Sequence, residues 1–314
     1  MADDSNWERK VLEKVALEAI TEQRRGRRWS VFFKALGFLY LTLVLGAAFE
    51  WWGGSEKFSE GARHTALINL EGVIQAKGDV SAENVIGSLQ AAFEDKGTSG
   101  VVLRVNSPGG SPVQAGMIND EIRRLRAEHK EIPVYVVVED ICASGGYYIA
   151  AAADKIYVDK ASIVGSIGVL MDGFGFTGTM EKLGVERRLL TAGENKGFLD
   201  PFSPQNKEHK VFAQAMLGEI HQQFIDVVRK GRGKRLKETP EMFSGLMWSG
   251  ARSIELGLAD GLGTVDYVAR EVIGAEEIHD YTIKHNLAEK FAERFGASMA
   301  GSAVKSLANS FSLR

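Results

Sequence analysis

The sequence contains little cysteine and little proline. Its single cysteine, Cys142, excludes an intramolecular disulfide and a metal site built from cysteines. Six prolines in 314 residues exclude a proline-rich linker, and the 45% hydrophobic content excludes a disordered chain. The chain also lacks a large excess of either charge, because it has 38 Lys and Arg and 41 Asp and Glu. The net charge of −3 therefore creates no global field that would recruit nucleic acid. These figures suit one folded domain with accessory segments, or two small domains.

One long apolar run lies near the N-terminus, at residues 29–52. Its stretch from residue 35 to 49 carries no charge, and a helix needs about 20 mostly apolar residues to span a bilayer. Four arginines within 24–28 precede the run and glutamates follow it, so the N-terminus is predicted to be cytoplasmic and the rest to lie across the membrane. A cleaved signal peptide would have a shorter apolar core, and a buried core helix would lack the flanking Arg and Trp residues. A single-pass anchor is therefore favoured.

From residue 64 onward, short apolar runs alternate with segments of helical periodicity. This alternation predicts a layered α/β domain with parallel strand pairing. We divide the chain into a cytoplasmic segment 1–28, an anchor 29–52, a linker 53–63, an α/β domain 64–285 and a tail 286–314. The predicted strands are 65–72, 100–106, 133–139 and 155–158, the predicted helices are 81–95, 113–129, 144–153 and 205–230, and a further apolar run covers 163–171.

Three glycine-rich elements each follow an apolar run: N-S-P-G-G-S (106–111), C-A-S-G-G-Y-Y (142–148) and V-G-S-I-G-V-L-M (164–171). Open α/β sheets place ligand crevices at strand ends, and glycine pairs let backbone N–H groups approach a ligand. Ser144 would stand where a helix begins, and the free N–H groups there favour a developing oxyanion. On spacing alone, Ser144 is either a nucleophile or, as is commoner for such a serine, an N-cap.

A serine nucleophile needs a base. None of the six histidines falls in a glycine-rich element, and no G-x-S-x-G surrounds Ser144. A lysine can act as the base when burial keeps it uncharged. Lys196 lies in the glycine- and proline-punctuated segment 191–204 and is a candidate, with a solvated surface lysine as the alternative. The carboxylates of Glu194 and Asp200 would oppose this role if they faced Lys196, and we expect them to point elsewhere.

Five elements together resemble one known family. N-S-P-G-G-S, A-S-G-G-Y-Y-I-A, G-S-I-G-V, K-G-F-L-D-P-F-S-P and W-S-G-A-R-S-I-E-L-G-L-A-D-G-L-G occur here in the order typical of the bacterial signal peptide peptidase A, or protease IV, family. The single module and the N-terminal span are similar to its short form. The resemblance covers roughly residues 64–285 and implies a Clp/crotonase-like layered α/β fold. N-S-P-G-G alone would identify only that superfamily.

The resemblance assigns roles to three side chains. It implies that Ser144 is the nucleophile, that Lys196 is its general base, and that Ser166 is the hydroxyl that orients the lysine amine. The implied enzyme is a serine endopeptidase of the bacterial inner membrane, with its catalytic domain on the extracytoplasmic side. It uses no cofactor and no metal.

The resemblance also implies an oxyanion site and a substrate class. Gly109 or Gly110, together with Gly145, would offer backbone N–H groups to the oxyanion. The nearby G-V-L-M (168–171) supplies no acid or base that would select a charged residue, so we expect cleavage of apolar peptides. Cleaved signal peptides that remain in the membrane are the implied substrates.

The implied assembly is a ring-shaped homo-oligomer, an octamer, in which Ser144 of one subunit meets Lys196 of its neighbour. Two other functions remain open, a crotonase-type acyl-CoA enzyme and a non-catalytic scaffold for membrane proteins. The basic turn 231–235 has no interleaved aromatic residue, so we expect no nucleic-acid partner. Cys142 is expected to be a buried structural residue instead of a thiol nucleophile.

Overall fold

The computed structural model describes residues 4–52 and 62–283. Residues up to 60 form one compact unit and residues from 61 onward form another. The predicted tail 286–314 and most of the predicted linker 53–63 lie outside the described residues.

The first unit is a single helix, α1, at Asp4–Trp52. Its segment Glu22–Gly46 has a mean hydropathy of 1.6, and its side chains are exposed. By length and composition this segment is able to cross a membrane, and it overlaps the predicted anchor at 29–52. The helix is therefore compatible with membrane anchoring.

The second unit contains one mixed sheet with helices. The strands are β1 His64–Glu71, β2 Thr98–Ser107, β3 Val134–Ala143, β4 Lys155–Val158, β5 Ile163–Gly165, β6 Met247–Ser249, β7 Gly261–Leu262 and β8 Ile278–Asp280. The helices are α2 Ala82–Glu94, α3 Pro112–Glu128, α4 Gly145–Ala150, α5 Thr177–Lys182, α6 Lys207–Arg232, α7 Gly250–Glu255 and α8 Val265–Tyr267, with a 3₁₀ turn at Gly233–Arg235 and a π-helical turn at Val268–Ile273.

The sheet has the strand order β6-β5-β3-β2-β1-β8, and β4 pairs with both β3 and β7. Its pairs are parallel except β5 with β6, as the alternation of strands and helices predicts. β3 is forked: its first half, at 135–137, pairs with β4, and its last three residues, at 141–143, pair with β5. The end of β3 is thereby held beside β5, and both strands lead into glycine-rich elements.

The sheet separates two apolar layers. Val101, Leu103 and Val105 of β2 face the larger core, whereas the intervening Val102 packs in a smaller cluster with Tyr157 on the other face. The first half of β3, at 134–138, likewise contributes side chains to both layers, as its apolar run predicts. Helices α2, α3 and α4 cover the larger core, and the first residues of α4 are buried.

The chain turns sharply after β5. Gly165 and Ser166 have φ values of +118° and +51°, in the left-handed region that interrupts a strand. Only the first three residues of the apolar run 163–171 therefore pair in the sheet, and residues 166–176 have no regular secondary structure. The predicted helix 144–153 is also shorter than expected and ends at Ala150.

A buried ion pair joins α6 to the segment before β7. The Arg232 side chain is 1% exposed, and its two terminal nitrogens donate to the two carboxylate oxygens of Asp260, each at 2.8 Å. Its Nε donates to the carbonyl of Gly257 at 2.8 Å. The preceding Gly231 lies so close to α4 that an added Cβ would stand 1.8 Å from the carbonyl oxygen of Ala151. The pair therefore holds the C-terminal end of α6 against the segment 257–260, while Gly231 lets the same end approach α4 closely.

We expect Arg232→Ala to lower the free energy of unfolding by about 3–5 kcal/mol, because it leaves a buried carboxylate without its main partner. The matched control is Arg229→Ala, three residues earlier, whose ion pair with Glu238 is exposed and should contribute about 1 kcal/mol or less. Urea unfolding of the full chain in detergent measures both. Equal losses in the two variants would contradict the role given to Arg232.

The same pair makes stability depend on pH. Burial alone would raise the pKa of Asp260, but the hydrogen bonds and charge of Arg232, with the Ile156 N–H and Arg235, lower it below its usual value. The pair therefore stabilises the fold fully above the unfolded pKa of about 3.9, and this stabilisation is lost as the pH falls through the folded pKa. We therefore expect the free energy of unfolding to fall less on acidification in Arg232→Ala than in the wild type.

Candidate active site

Ser144 stands at the turn between β3 and α4 with an unusual backbone. Its φ is +51° and its ψ is −120°, a conformation that costs a non-glycine residue about 1–3 kcal/mol. Its N–H donates to the carbonyl of Gly165 at 2.9 Å, which fixes it to the end of β5. Its side chain makes no capping hydrogen bond to α4. Ser144 therefore occupies the N-cap position without a side-chain capping bond, and its hydroxyl is left available for another role.

The Gly109–Gly110 turn packs directly on Ser144. Gly109 has a φ of +104°, and an added Cβ there would lie 2.7 Å from the Cβ of Ser144. Gly110 approaches Ile74 so closely that its added Cβ would stand 2.1 Å from the Ile74 carbonyl oxygen. Ile74 holds the turn through its N–H, which donates to Gly109 at 2.9 Å, and its carbonyl, which accepts from Ser111 at 2.8 Å. Only glycine fits this turn.

Two backbone N–H groups beside Ser144 have no hydrogen-bond partner within the described part of the chain, those of Gly110 and Gly145. The Gly110 nitrogen lies 3.3 Å from the position of an added Cβ on Gly145, so the two residues are adjacent. The N–H of Gly109 is already used, because it donates to the Ser107 hydroxyl at 3.2 Å. The geometry thus favours Gly110 over Gly109 as a candidate oxyanion donor.

Ser166 and Ser144 line the same cleft, which has a volume of about 690 Å³. The Ser166 N–H donates to the carbonyl of Leu246 at 2.8 Å, so the turn after β5 is fixed to the segment before β6. The other walls are largely apolar, and no charged side chain lines the cleft in the described residues. The apolar walls are formed by Tyr148, Val169, Leu170, Leu217, Ile220 and Phe224.

Lys196 does not line this cleft. It lies in a turn, its N–H donates to Gly193 at 3.1 Å, and its side chain is exposed. No ion pair joins it to Glu194 or Asp200 within the described residues. The Asp200 carboxylate instead accepts from the Ser203 hydroxyl at 2.6 Å and lies 3.4 Å from Arg187, and the Ser203 bond leads the causes that lower its pKa. The structure thus brings Ser144, Ser166, Gly110 and Gly145 together in one chain, and leaves Lys196 apart.

Lys196 belongs to a segment with many exposed apolar side chains, residues 169–206, which we call the arm. Leu170, Phe174, Leu183 and Leu190 are between 72% and 96% exposed. Contiguous exposed apolar surface on a folded protein marks a site of interaction. The arm is therefore suited to contact another protein surface.

Cys142 is fully buried beneath the site. Burial raises the pKa of its thiol, so it stays protonated and is a poor nucleophile. This agrees with the structural role expected from the sequence.

The residues that support the site were not identified from the sequence. Ile74, Ser107 and Leu246 act mainly through backbone groups or through a short-range hydroxyl contact, so their residue types give no signal. The one available signal was the glycine pair at 109–110. Such a pair indicates that another group packs closely against the backbone, but not which group it is.

Comparison with known proteins identifies similar sequences. The model of peptidase family S49 matches residues 126–278. A protein named "Putative signal peptide peptidase SppA" from Enterococcus faecium is 31% identical over 239 residues, which cover 73% of this chain and 69% of that protein. "Protease 4" from Haemophilus influenzae is 32% identical over 204 residues, covering 63% of this chain and 32% of that protein.

A further relative is longer and carries a different name. "Na(+)/H(+) antiporter NhaA" from Brucella melitensis is 46% identical over 213 residues, which cover 66% of this chain. The match covers only 29% of that protein's length.

Proposed function

Because this chain belongs to peptidase family S49, we propose that it is a serine endopeptidase with Ser144 as nucleophile and Lys196 as general base. One observation carries the proposal: Ser144 lies in a strained turn at an apolar cleft, its hydroxyl makes no capping bond, and two adjacent N–H groups have no partner among the described residues. Strain of this kind persists only where the surrounding structure enforces it, and it is concentrated at functional sites.

The proposed reaction uses these groups in sequence. Neutral Lys196 removes the proton of the Ser144 hydroxyl, and the oxygen attacks the peptide carbonyl carbon. The N–H groups of Gly110 and Gly145 stabilise the oxyanion of the tetrahedral intermediate, and losing one such donor typically costs about 10²–10³ in turnover. Ser166 orients the lysine amine. Protonated Lys196 then gives its proton to the leaving amine, and a water molecule activated by the same base hydrolyses the acyl-enzyme.

We infer that Lys196 reaches Ser144 of a neighbouring copy. Lys196 is exposed and lies outside the cleft of its own chain, while the arm that carries it exposes large apolar side chains. A second copy that covered the arm would remove the lysine from water, which favours the neutral amine. A closed ring, proposed to be an octamer, would repeat this contact around a symmetry axis.

The proposed substrates are apolar peptides, and in particular cleaved signal peptides. The cleft walls are aliphatic and aromatic, and one relative is named for signal peptides. We propose that α1 anchors the enzyme in the bacterial inner membrane with its N-terminus in the cytoplasm, since arginines flank that end of the apolar segment. The match with the antiporter carries no proposal of ion transport, because it covers 29% of that protein.

A serine-directed covalent probe tests the nucleophile. We expect a fluorophosphonate to modify the detergent-solubilised full chain at Ser144, as located by peptide mass spectrometry. Ser244→Ala, which removes another serine from the same cleft, is the matched control and should still be labelled. Labelling that persists unchanged in Ser144→Ala, or that is found at a different serine, would overturn the assignment.

A further inference from the structure

We propose that His221 is a positioning residue that fixes the width of the cleft beside Ser144, and so helps to select the side chain that the cleft accepts. This inference rests on the proposed function. It starts from a hydrogen bond between the two walls of the cleft: Nε2 of His221, on α6, lies 3.2 Å from the carbonyl oxygen of Ile167. Because a carbonyl only accepts, the imidazole nitrogen is the donor in this bond.

The bond lies at the point where the wall segment loses its other supports. Up to Ile167 the chain is well fixed: Gly165 accepts from Ser144, the Ser166 N–H donates to Leu246, and the Ile167 side chain is fully buried. The backbone of residues 168–171 makes no further hydrogen bond within the described residues. Among the described residues, the His221 contact is therefore the last hydrogen bond that fixes this wall before it runs along the cleft.

The same bond lies where α6 leaves the core. Toward its C-terminal end α6 is anchored, since Phe224 packs at a tilt against Tyr148 at a centroid distance of 5.1 Å and Val228 is fully buried. Toward its N-terminal end Val211 and Phe212 are more than 60% exposed. His221 lies between these two parts, so its bond sets how far this portion of the helix stands from the opposite wall.

The two connected walls supply the apolar surface that a substrate side chain would contact. Leu217 and Ile220 come from α6, while Val169 and Leu170 come from the segment after Ile167. Cleft width decides which aliphatic side chains make full contact, and one methylene changes discrimination by about 10–200-fold. A hydrogen bond that fixes the distance between the walls therefore acts on selectivity without touching the reacting atoms.

The test compares His221→Ala with His221→Gln, whose amide can donate to the same carbonyl. Fluorogenic peptides differing only in the residue before the cleaved bond, alanine or phenylalanine, are assayed with the full chain. For His221→Ala we expect KM for the alanine peptide to rise about 3–10-fold with kcat little changed, and the preference for phenylalanine to increase. His221→Gln should restore the wild-type values, and Gln222→Ala, an exposed neighbour, should not alter them.

A second measurement does not depend on activity. Spin labels on Leu170→Cys and Gln222→Cys, both exposed positions, report the distance between the walls in labelled chains diluted with unlabelled ones. Cys142 is buried and stays unlabelled. We expect a narrow distribution in the wild type and His221→Gln, and a broader one in His221→Ala. Identical distributions, or a wild-type substrate preference in His221→Ala, would overturn the inference. A wild type that neither cleaves peptides nor is labelled at Ser144 would instead overturn the proposed function, and the distances would still decide the role of His221.

Discussion

Replacing Ser144 with alanine should lower the rate of peptide hydrolysis by at least about 10⁴-fold, since loss of the nucleophile removes the covalent route entirely. The fold should remain intact, because the Ser144 side chain makes no capping hydrogen bond and its backbone bond to Gly165 is kept. The measurement is kcat/KM on an apolar fluorogenic peptide, with the full chain in detergent. A melting temperature close to that of the wild type establishes that the loss is chemical.

Ser244→Ala is the matched control for this experiment. Ser244 lines the same cleft, and its hydroxyl donates to the carbonyl of Glu241 at 2.7 Å, in a local turn. We expect its activity to stay within a few-fold of the wild type, as is usual for a surface substitution. If Ser144→Ala kept a rate similar to that of Ser244→Ala, the nucleophile would have to be sought elsewhere.

Replacing Lys196 with alanine should lower the rate by about 10²–10⁴-fold, the usual effect of removing a general base. Lys182→Ala is the matched control, because Lys182 is another exposed lysine of the arm. An enzyme that loses activity equally in both variants would point to a general effect of charge on the arm. Full activity in Lys196→Ala would exclude this lysine as the base.

Mixed assemblies of the two inactive chains decide whether the site is shared. Where Ser144→Ala and Lys196→Ala chains assemble at random, about a quarter of the contacts in a cyclic ring pair an intact serine with an intact lysine of the neighbour. We expect co-expressed, doubly tagged oligomers to recover about that fraction of the wild-type activity. Each variant alone should stay inactive. Oligomers that contain both chains and yet show no recovery would contradict a shared site.

The sequence was sufficient to predict the layered α/β sheet because short apolar runs mark its long strands clearly. The run 133–139 is apolar up to its last residue, which predicts burial on both faces, and residues 134–138 of β3 are buried or half-buried on both faces. The forked pairing of β3 was not predictable, because pairing with β4 and then β5 depends on contacts between distant parts of the chain. The Enterococcus faecium relative, together with the family model at 126–278, confirms the family that the five glycine-rich and neighbouring elements resemble.

The candidate site was only partly accessible from the sequence. Glycine pairs at strand ends pointed to the turns around Ser144, but the φ of +51° and the missing side-chain capping bond of that serine could not be read from the sequence. The same holds for Gly109 and Gly110, because the structure is needed to see that the Gly109 N–H donates to the Ser107 hydroxyl. Lys196 stays a prediction. A single chain places it in solvent, and the surface proposed to cover it belongs to another copy.

The backbone conformation of Ser144 has an evolutionary consequence. A chain selected only for folding would carry glycine at this position, since glycine adopts a φ of +51° without the steric cost that a Cβ imposes. Family members that had lost the proposed catalytic role of this serine would be under no constraint to keep it. Replacement by glycine would then stabilise their fold. Under the nucleophilic role proposed for Ser144, a serine at position 144 would mark family members that keep the activity, and a glycine those that have lost it.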